Sequence, residues 1–219
     1  MLKCVIFDMD GTIGDTLPFC VIAFRRTAEH FLSRTLSDEE IFEAFGPSDE
    51  GTLQKWIPDH LEDGFKIYLE EYQKLHRTMC PLPFDGMTEL LHLLKKKGVL
   101  LALVTGKGWA ALKITLNIFQ MEDIFDAIEV GSPIGPNKPV GLRNVLQKLN
   151  LQPYETVYIG DAITDITAAK SVSIPILSAS WASTADVERQ RAYQPDKVCL
   201  SIEELKEELL SRLDRGIVG

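Results

Sequence analysis

Apolar residues along the chain gather into short runs that stop abruptly at a polar residue or glycine. "CVIF" at 4–7, "VLLALV" at 99–104 and "VYI" at 157–159 are apolar on both faces, which predicts strands buried inside a parallel sheet. "DAIEV" at 126–130 is a further strand, and a last one is expected near 175–178. Helical periodicity fills the intervals at roughly 86–97, 108–119, 140–149 and 163–171, with a final helix at about 201–213. Strands alternating with helices predict an α/β fold, a doubly wound, Rossmann-like parallel sheet. Residues 16–84 break this rhythm: they show helical stretches near 17–33, 38–44 and 60–77 and no strand pattern. Glycine and proline punctuate both ends, in "GTIGDT" and "CPLPFDG". The expected organisation is an α/β core of residues 1–15 and 85–219 with a helical domain, 16–84, inserted after the first strand.

In open α/β sheets ligands bind at the carboxyl ends of the strands. That edge would receive Asp8, Thr105 and Asp161, each just beyond an apolar run, and Lys138 from the loop "GSPIGPNKP" that follows "DAIEV". Asp8 and Asp10 lie two residues apart, with Gly11 allowing a tight bend. Carboxylates so close repel unless a cation neutralises them, a proton is shared, or water solvates them. Magnesium favours such oxygen ligands. Each residue alone has a plainer reading: the two aspartates as a solvated turn, Thr105 as a turn residue, Lys138 as a surface lysine, and Asp165 of "GDAITD" as the start of a helix. It is the order strand–DxDGT, strand–T, loop–KP, strand–GDxxxD that favours a common site.

Composition narrows the partners. The 219 residues include 45% hydrophobic ones, enough for a proper core, and 32 acidic against 23 basic residues give a net charge of -9. Such a chain repels nucleic acid and anionic membrane, so neither is expected as a partner, and an anionic substrate needs a local positive pocket or a bound cation. Cys4, Cys20, Cys80 and Cys199 are scattered without a CxxC, which suits free thiols in a reducing compartment and gives no zinc-ligand spacing. Asp8 and Asp10 interrupt the first apolar stretch too early for a signal peptide, and no apolar run is long enough to span a bilayer. A cytoplasmic protein, monomer or dimer, is expected.

Taken together, "FDMDGT", "VTGK", "NKP" and "GDAITD" resemble, in order and context, the motifs of the haloacid dehalogenase-like phosphohydrolase superfamily, over nearly the whole chain. The helical insert looks like the cap of the phosphoglycolate phosphatase and β-phosphoglucomutase-like branch, and "FGPSDEGTL" is similar to a cap loop of phosphoglycolate phosphatase-like members. The resemblance implies a Mg2+-dependent phosphatase acting on a small phosphorylated metabolite, phosphoglycolate-like or a sugar phosphate. Asp8 would be the nucleophile forming an aspartyl-phosphate, and Asp10 the acid and base. Mg2+ would bind Asp8, the Asp10 carbonyl and Asp161. Thr105 would donate to a phosphoryl oxygen, and backbone amides after Asp8 would cradle the phosphoryl group. Lys138 would neutralise the phosphate and Asp8, with Asp165 orienting Lys138 or supporting the metal shell. Gly106, Lys107, Ser48, Asp49 and Lys55 are candidates for substrate contact, Lys107 having the alternative of a solvated helix start. The loop Gly46–Gly51, turning on the glycine at each end, is the segment best placed to reach the core, with an ordinary helix–helix connection as the alternative. "TGK" lacks the polar residue common before this lysine, and "KPVGL" lacks an acidic residue two places after it; both departures bear on substrate. A phosphomutase of the β-phosphoglucomutase type and a non-catalytic phospholigand-binding protein are the alternatives. A dehalogenase and a phosphonoacetaldehyde-type hydrolase are disfavoured, because Asp10 is present.

Overall fold

The computed structural model describes residues 1–214. In chain order the elements are β1 (Cys4–Phe7), α1 (Leu17–Glu29), α2 (Asp38–Ala44), α3 (Asp49–Gln54), α4 (Leu61–Met79), α5 (Met87–Lys96), β2 (Leu100–Val104), α6 (Trp109–Phe119), β3 (Ala127–Glu129), α7 (Lys138–Lys148), β4 (Thr156–Gly160), α8 (Ile163–Ser171), β5 (Ile176–Ala179), α9 (Val187–Ala192), β6 (Lys197–Cys199) and α10 (Ile202–Asp214). The six strands form one sheet in the order β3-β2-β1-β4-β5-β6, with every neighbouring pair parallel. This is the doubly wound arrangement, and its order reverses between β1 and β4, where ligands gather at the carboxyl edge.

The two-residue period of β1 explains its uniformly apolar sequence. Val5 and Phe7 join one buried cluster with Leu101, Leu103, Val157 and Ile159, while Cys4 and Ile6 join the opposite one with Ala102, Val104 and Tyr158. Helices α5, α6 and α10 cover the first face, and α7 and α8 the second.

Between β1 and α5 the chain is helical. Helix α1 packs along α4, and α4 packs on α6 of the sheet layer. Tyr72 of α4 and Thr115 of α6 share a hydrogen bond of 2.6 Å, and Phe19, Tyr72, His76 and Phe119 form a continuous ring cluster across the same seam. The two connections to the sheet meet, since Phe84 N–H donates to the Ile13 carbonyl at 2.9 Å.

The sequence reading missed α3, α9 and β6. Each is six residues or fewer, too short for periodicity to register. Helix α1 stops at Glu29 rather than near 33, and α7 begins at Lys138, two residues before the expected start, because Pro139 sits comfortably in a first helical turn. Among the described residues no helix is long and apolar enough to cross a membrane.

Candidate active site

The carboxyl edge of the sheet collects the residues singled out above. Asp8 follows β1, Thr105 follows β2, Asp161 follows β4, and Lys138 is the first residue of α7 after β3. Lys138 Nζ bridges Asp8 Oδ2 at 2.7 Å and Asp165 Oδ1 at 2.5 Å. Asp165 is wholly buried, and its other oxygen accepts from the Ala162 N–H at 3.0 Å. The Tyr158 hydroxyl also lies 2.7 Å from Asp165 Oδ1 and 3.1 Å from the Val104 carbonyl. Asp165 thus accepts from three donors and fixes Lys138.

Asp8, Asp161 and Asp165 each offer a carboxylate oxygen within 4.8 Å of the others. The Asp10 carboxylate is engaged elsewhere: its Oδ1 accepts from the Thr16 hydroxyl and lies 3.1 Å from Lys107 Nζ. Against the three clustered carboxylates stands one ammonium, Lys138, which leaves two negative charges uncompensated. Burial pushes Asp8 up to about 7, with Asp165 and Asp10 adding to the rise and Lys138 opposing it. Asp161 is likewise pushed well up, by burial and then by Asp165 and Asp8. Burial would lower Lys138, but Asp165 and Asp8 outweigh it and raise it. Asp8 Oδ1 is buried without a hydrogen-bond partner. An all-oxygen set, a net double negative charge and an orphaned carboxylate oxygen together fit a divalent cation of the magnesium kind.

Gly11 explains the turn after Asp8. Its φ of +75 suits glycine, and a Cβ there would come within 2.3 Å of Asp161 Oδ2, so only glycine lets the two strand-end loops meet. The amides expected to cradle an anion are partly spent: Gly11, Thr12 and Ile13 donate to the carbonyls of Gly14 and Met9. Thr105 is buried, and its hydroxyl accepts from the Lys107 N–H at 3.2 Å, keeping its own proton free to donate.

The reading of Lys107 as a solvated helix start is corrected. Its side chain is 2% exposed, paired with Asp10, 3.6 Å from Cys20 Sγ and 4.6 Å from the Tyr72 ring centre. Burial would lower it, but Asp10 leads a set of neighbours that raise it well above the ordinary lysine value. Long polar side chains bury where they find charge partners, and the helical segment supplies the walls. Gly106 has open space where a side chain would be, and its carbonyl lies against Gly131.

The loop Gly46–Gly51 does touch the sheet layer. Ser48 N–H donates to the Ser132 carbonyl at 2.8 Å, and Asp49 Oδ2 accepts from Gly108 N–H, at the start of α6, at 2.7 Å. Asp49 is buried and also accepts from the Tyr68 hydroxyl at 2.6 Å, while buried Ser48 donates to Glu50. The expected reason for Gly51 is corrected: it lies inside α3 rather than in a turn, and a Cβ there would fall 2.2 Å from the Pro133 carbonyl oxygen. Lys55 is not brought to the site; it is exposed and donates to the Ala44 carbonyl. Sequence reasoning passed over Tyr158, Thr16, Cys20 and Tyr72. Only Tyr158 carried a signal, two residues short of the strand end in "VYIGD".

Known proteins resemble the chain over most of its length. The pyrophosphatase PpaX of Bacillus mycoides is 25% identical over 215 residues, 97% of this chain and 99% of its own length. That of Listeria innocua is 27% identical over 198 residues, 89% and 90% of the two chains. A haloacid dehalogenase-like family hydrolase from Streptococcus pneumoniae shares the fold with a TM-score of 0.74 at 23% identity, over 97% of this chain and 98% of that one. A structure described as a candidate β-phosphoglucomutase from Thermotoga maritima gives 0.72 at 26% identity, over 98% and 99%. The family model for haloacid dehalogenase-like hydrolases matches residues 5–179, from the first strand to the fifth, and the chain belongs to that family.

Proposed function

We propose that the protein is a Mg2+-dependent phosphatase that hydrolyses a small phosphate ester or anhydride through an aspartyl-phosphate on Asp8. The observation that carries this reading is the Lys138 bridge: it binds one oxygen of Asp8 and leaves the other buried and unpartnered at the carboxyl edge. A carboxylate held so is poised to attack phosphorus. The Asp8–phosphorus bond forms as the bond to the leaving oxygen breaks, and Asp10 gives that oxygen its proton. Asp10, then ionised, takes a proton from water as the water oxygen attacks the same phosphorus. Asp8 is released, and inorganic phosphate leaves. Lys138 and the Thr105 hydroxyl would hold the phosphoryl oxygens. Asp8 and Asp161, with the Asp10 carbonyl, would hold Mg2+, which when bound neutralises their charge and that of the transferring group.

Residues 16–84 would act as a cap, hinged near Gly14–Thr16 and Pro81–Gly86, that shuts out water for the first step and admits it for the second. Ser48 and Asp49, which touch the sheet layer, are the cap residues best placed to bear on substrate; buried Lys107 would act through Asp10. The pyrophosphatase relatives support an anhydride substrate, and the helical branch resemblance supports a monoester. The likeness to the Thermotoga maritima protein favours a second reading, a phosphomutase.

Phosphate release from an aryl phosphate, phosphoglycolate, sugar phosphates and inorganic pyrophosphate tests the proposal. The expected result is Mg2+-dependent release that chelator stops and that Asp8→Asn abolishes without loss of folding. Undiminished release by pure Asp8→Asn protein would sink the covalent route. Isomerisation of a sugar phosphate in place of net phosphate release would mark the mutase.

A further inference from the structure

Asp161 sits one residue past the end of β4, where the ladder to β5 stops at the Gly160 and Ser178 pair. Its carboxylate has little to hold it. Among the described residues its side-chain hydrogen-bond partner is the Thr12 hydroxyl at 3.5 Å, the limit of such a bond, and the rest is its own backbone N–H and packing against Gly11. The direction of the carboxylate is therefore set by its backbone.

That backbone is gripped from two sides. The peptide unit joining Asp161 to Ala162 presents its N–H to Asp165 Oδ2 at 3.0 Å. Its carbonyl accepts from Gln190 Nε2 at 2.6 Å. The same Nε2 donates its second hydrogen to the Ala179 carbonyl at 2.9 Å, at the end of β5. Gln190 Oε1 in turn accepts from the Ser180 hydroxyl. One amide thus ties together the ends of two adjacent strands just where main-chain pairing ceases. Gln190 is 1% exposed, and both its hydrogens and its oxygen are used. The orientation is fixed by chemistry, because a flipped amide would set Oε1 against two carbonyl oxygens.

We propose that Gln190, from the short helix α9, is a positioning residue for the metal site: it fixes the Asp161–Ala162 peptide and so aims the Asp161 carboxylate. The inference rests on the reading of Asp161 as a Mg2+ ligand. Outer partners of metal ligands commonly govern metal affinity by restricting the ligand's orientation.

The test is calorimetric titration of the full-length protein with MgCl2 without substrate, alongside thermal unfolding. Gln190→Met keeps the volume and removes the amide. Its Mg2+ Kd should rise roughly 10- to 100-fold, as other outer-partner losses do, while excess Mg2+ restores much of the turnover. A folded Gln190→Met protein with an unchanged Kd and a lowered Tm would overturn the proposal and leave Gln190 a purely structural residue. Ser180→Ala decides the matter if Gln190→Met does not fold: it removes the hydroxyl that holds Oε1 and leaves the amide pinned through Nε2 alone, so a raised Kd supports the proposal and an unchanged one overturns it. Asp161→Asn separates the two readings. If neither wild type nor Asp161→Asn binds Mg2+, the metal reading falls. If wild type binds, Asp161→Asn weakens binding and the Gln190 and Ser180 variants do not, this inference alone falls.

Discussion

Two lysines, Lys107 buried and Lys138 half-buried, stand beside the two aspartates of the first loop, and they keep different company. Lys138 meets Asp8 and Asp165, and all three belong to the sheet and the helices that follow its strands. Lys107 meets Asp10, but its other neighbours, Cys20 and Tyr72, come from α1 and α4. Asp49, which bonds to the Gly108 amide beside Lys107, comes from α3. The corner proposed to carry the phosphoryl group is thus assembled within the sheet layer alone. The corner holding the proposed acid and base is shared between the sheet layer and the helical segment. A movement of that segment would reach Asp10 and leave Asp8 where it is.

The sharpest way to break this contrast is Asp10→Asn. Turnover of alkyl phosphates should fall about 10²- to 10⁴-fold, and that of an aryl phosphate with a good leaving group far less. Equal losses along a leaving-group series would remove the acid role and with it the functional difference between the two corners.

Lys107→Met tests what holds the shared corner. Removing one partner of a buried ion pair leaves a charge stranded, so unfolding free energy should drop by about 3 kcal/mol in urea titrations. A drop indistinguishable from that of an exposed substitution would show the Asp10 pair to be incidental.

Protonation acts on the other corner. Mg2+ needs Asp8 as a carboxylate, and Asp8 is pushed up to about 7. Below that pH, Mg2+ affinity should weaken by roughly tenfold per unit, read by calorimetry. In the metal-free protein the raised carboxylate means that the folded form binds the proton more tightly than the unfolded chain does. The corresponding stability is present at low pH and lost as pH rises through about 7. The Tm of metal-free Asp8→Asn should therefore gain on wild type between pH 5 and pH 8.

The smallest effect concerns closure. Gly51→Ala improves the intrinsic helix propensity of α3 by up to about 1 kcal/mol. Yet the new methyl meets Pro47 Cβ at 2.7 Å within the loop itself and, while the loop rests on the sheet layer, the Pro133 carbonyl oxygen at 2.2 Å. Relative rates among natural substrates should shift a few-fold, with an aryl phosphate little changed, whereas exposed Lys55→Ala should leave the ranking as it was. An unaltered ranking in Gly51→Ala would take the loop out of the specificity argument.

Much of this was legible in the sequence because it is written in local pattern. Strands buried on both faces must be apolar throughout, so "CVIF" and "VYI" announce themselves, and helices such as Asp38–Ala44 and Ile163–Ser171 stand at the residues their periodicity marks. The strand-end placing of Asp8, Thr105 and Asp161 follows from the same runs, since a chain leaving a buried strand emerges at one edge of the sheet.

What lies across the chain was not legible. The partners of Lys107 are 97 residues away at Asp10 and 87 at Cys20, and nothing near "TGK" shows that a lysine there will be buried. Gln190 sits on a six-residue helix without a detectable period, 29 residues from the carbonyl it holds. The sequence by itself determined five of the sheet's six strands and which side chains would arrive at its carboxyl edge, because hydrophobic periodicity is a property of neighbouring residues. Only the tertiary structure decided which aspartate each lysine neutralises and which peptide each buried amide fixes. Burial forces every polar group to find a partner, and the partner it finds is set by packing between distant segments.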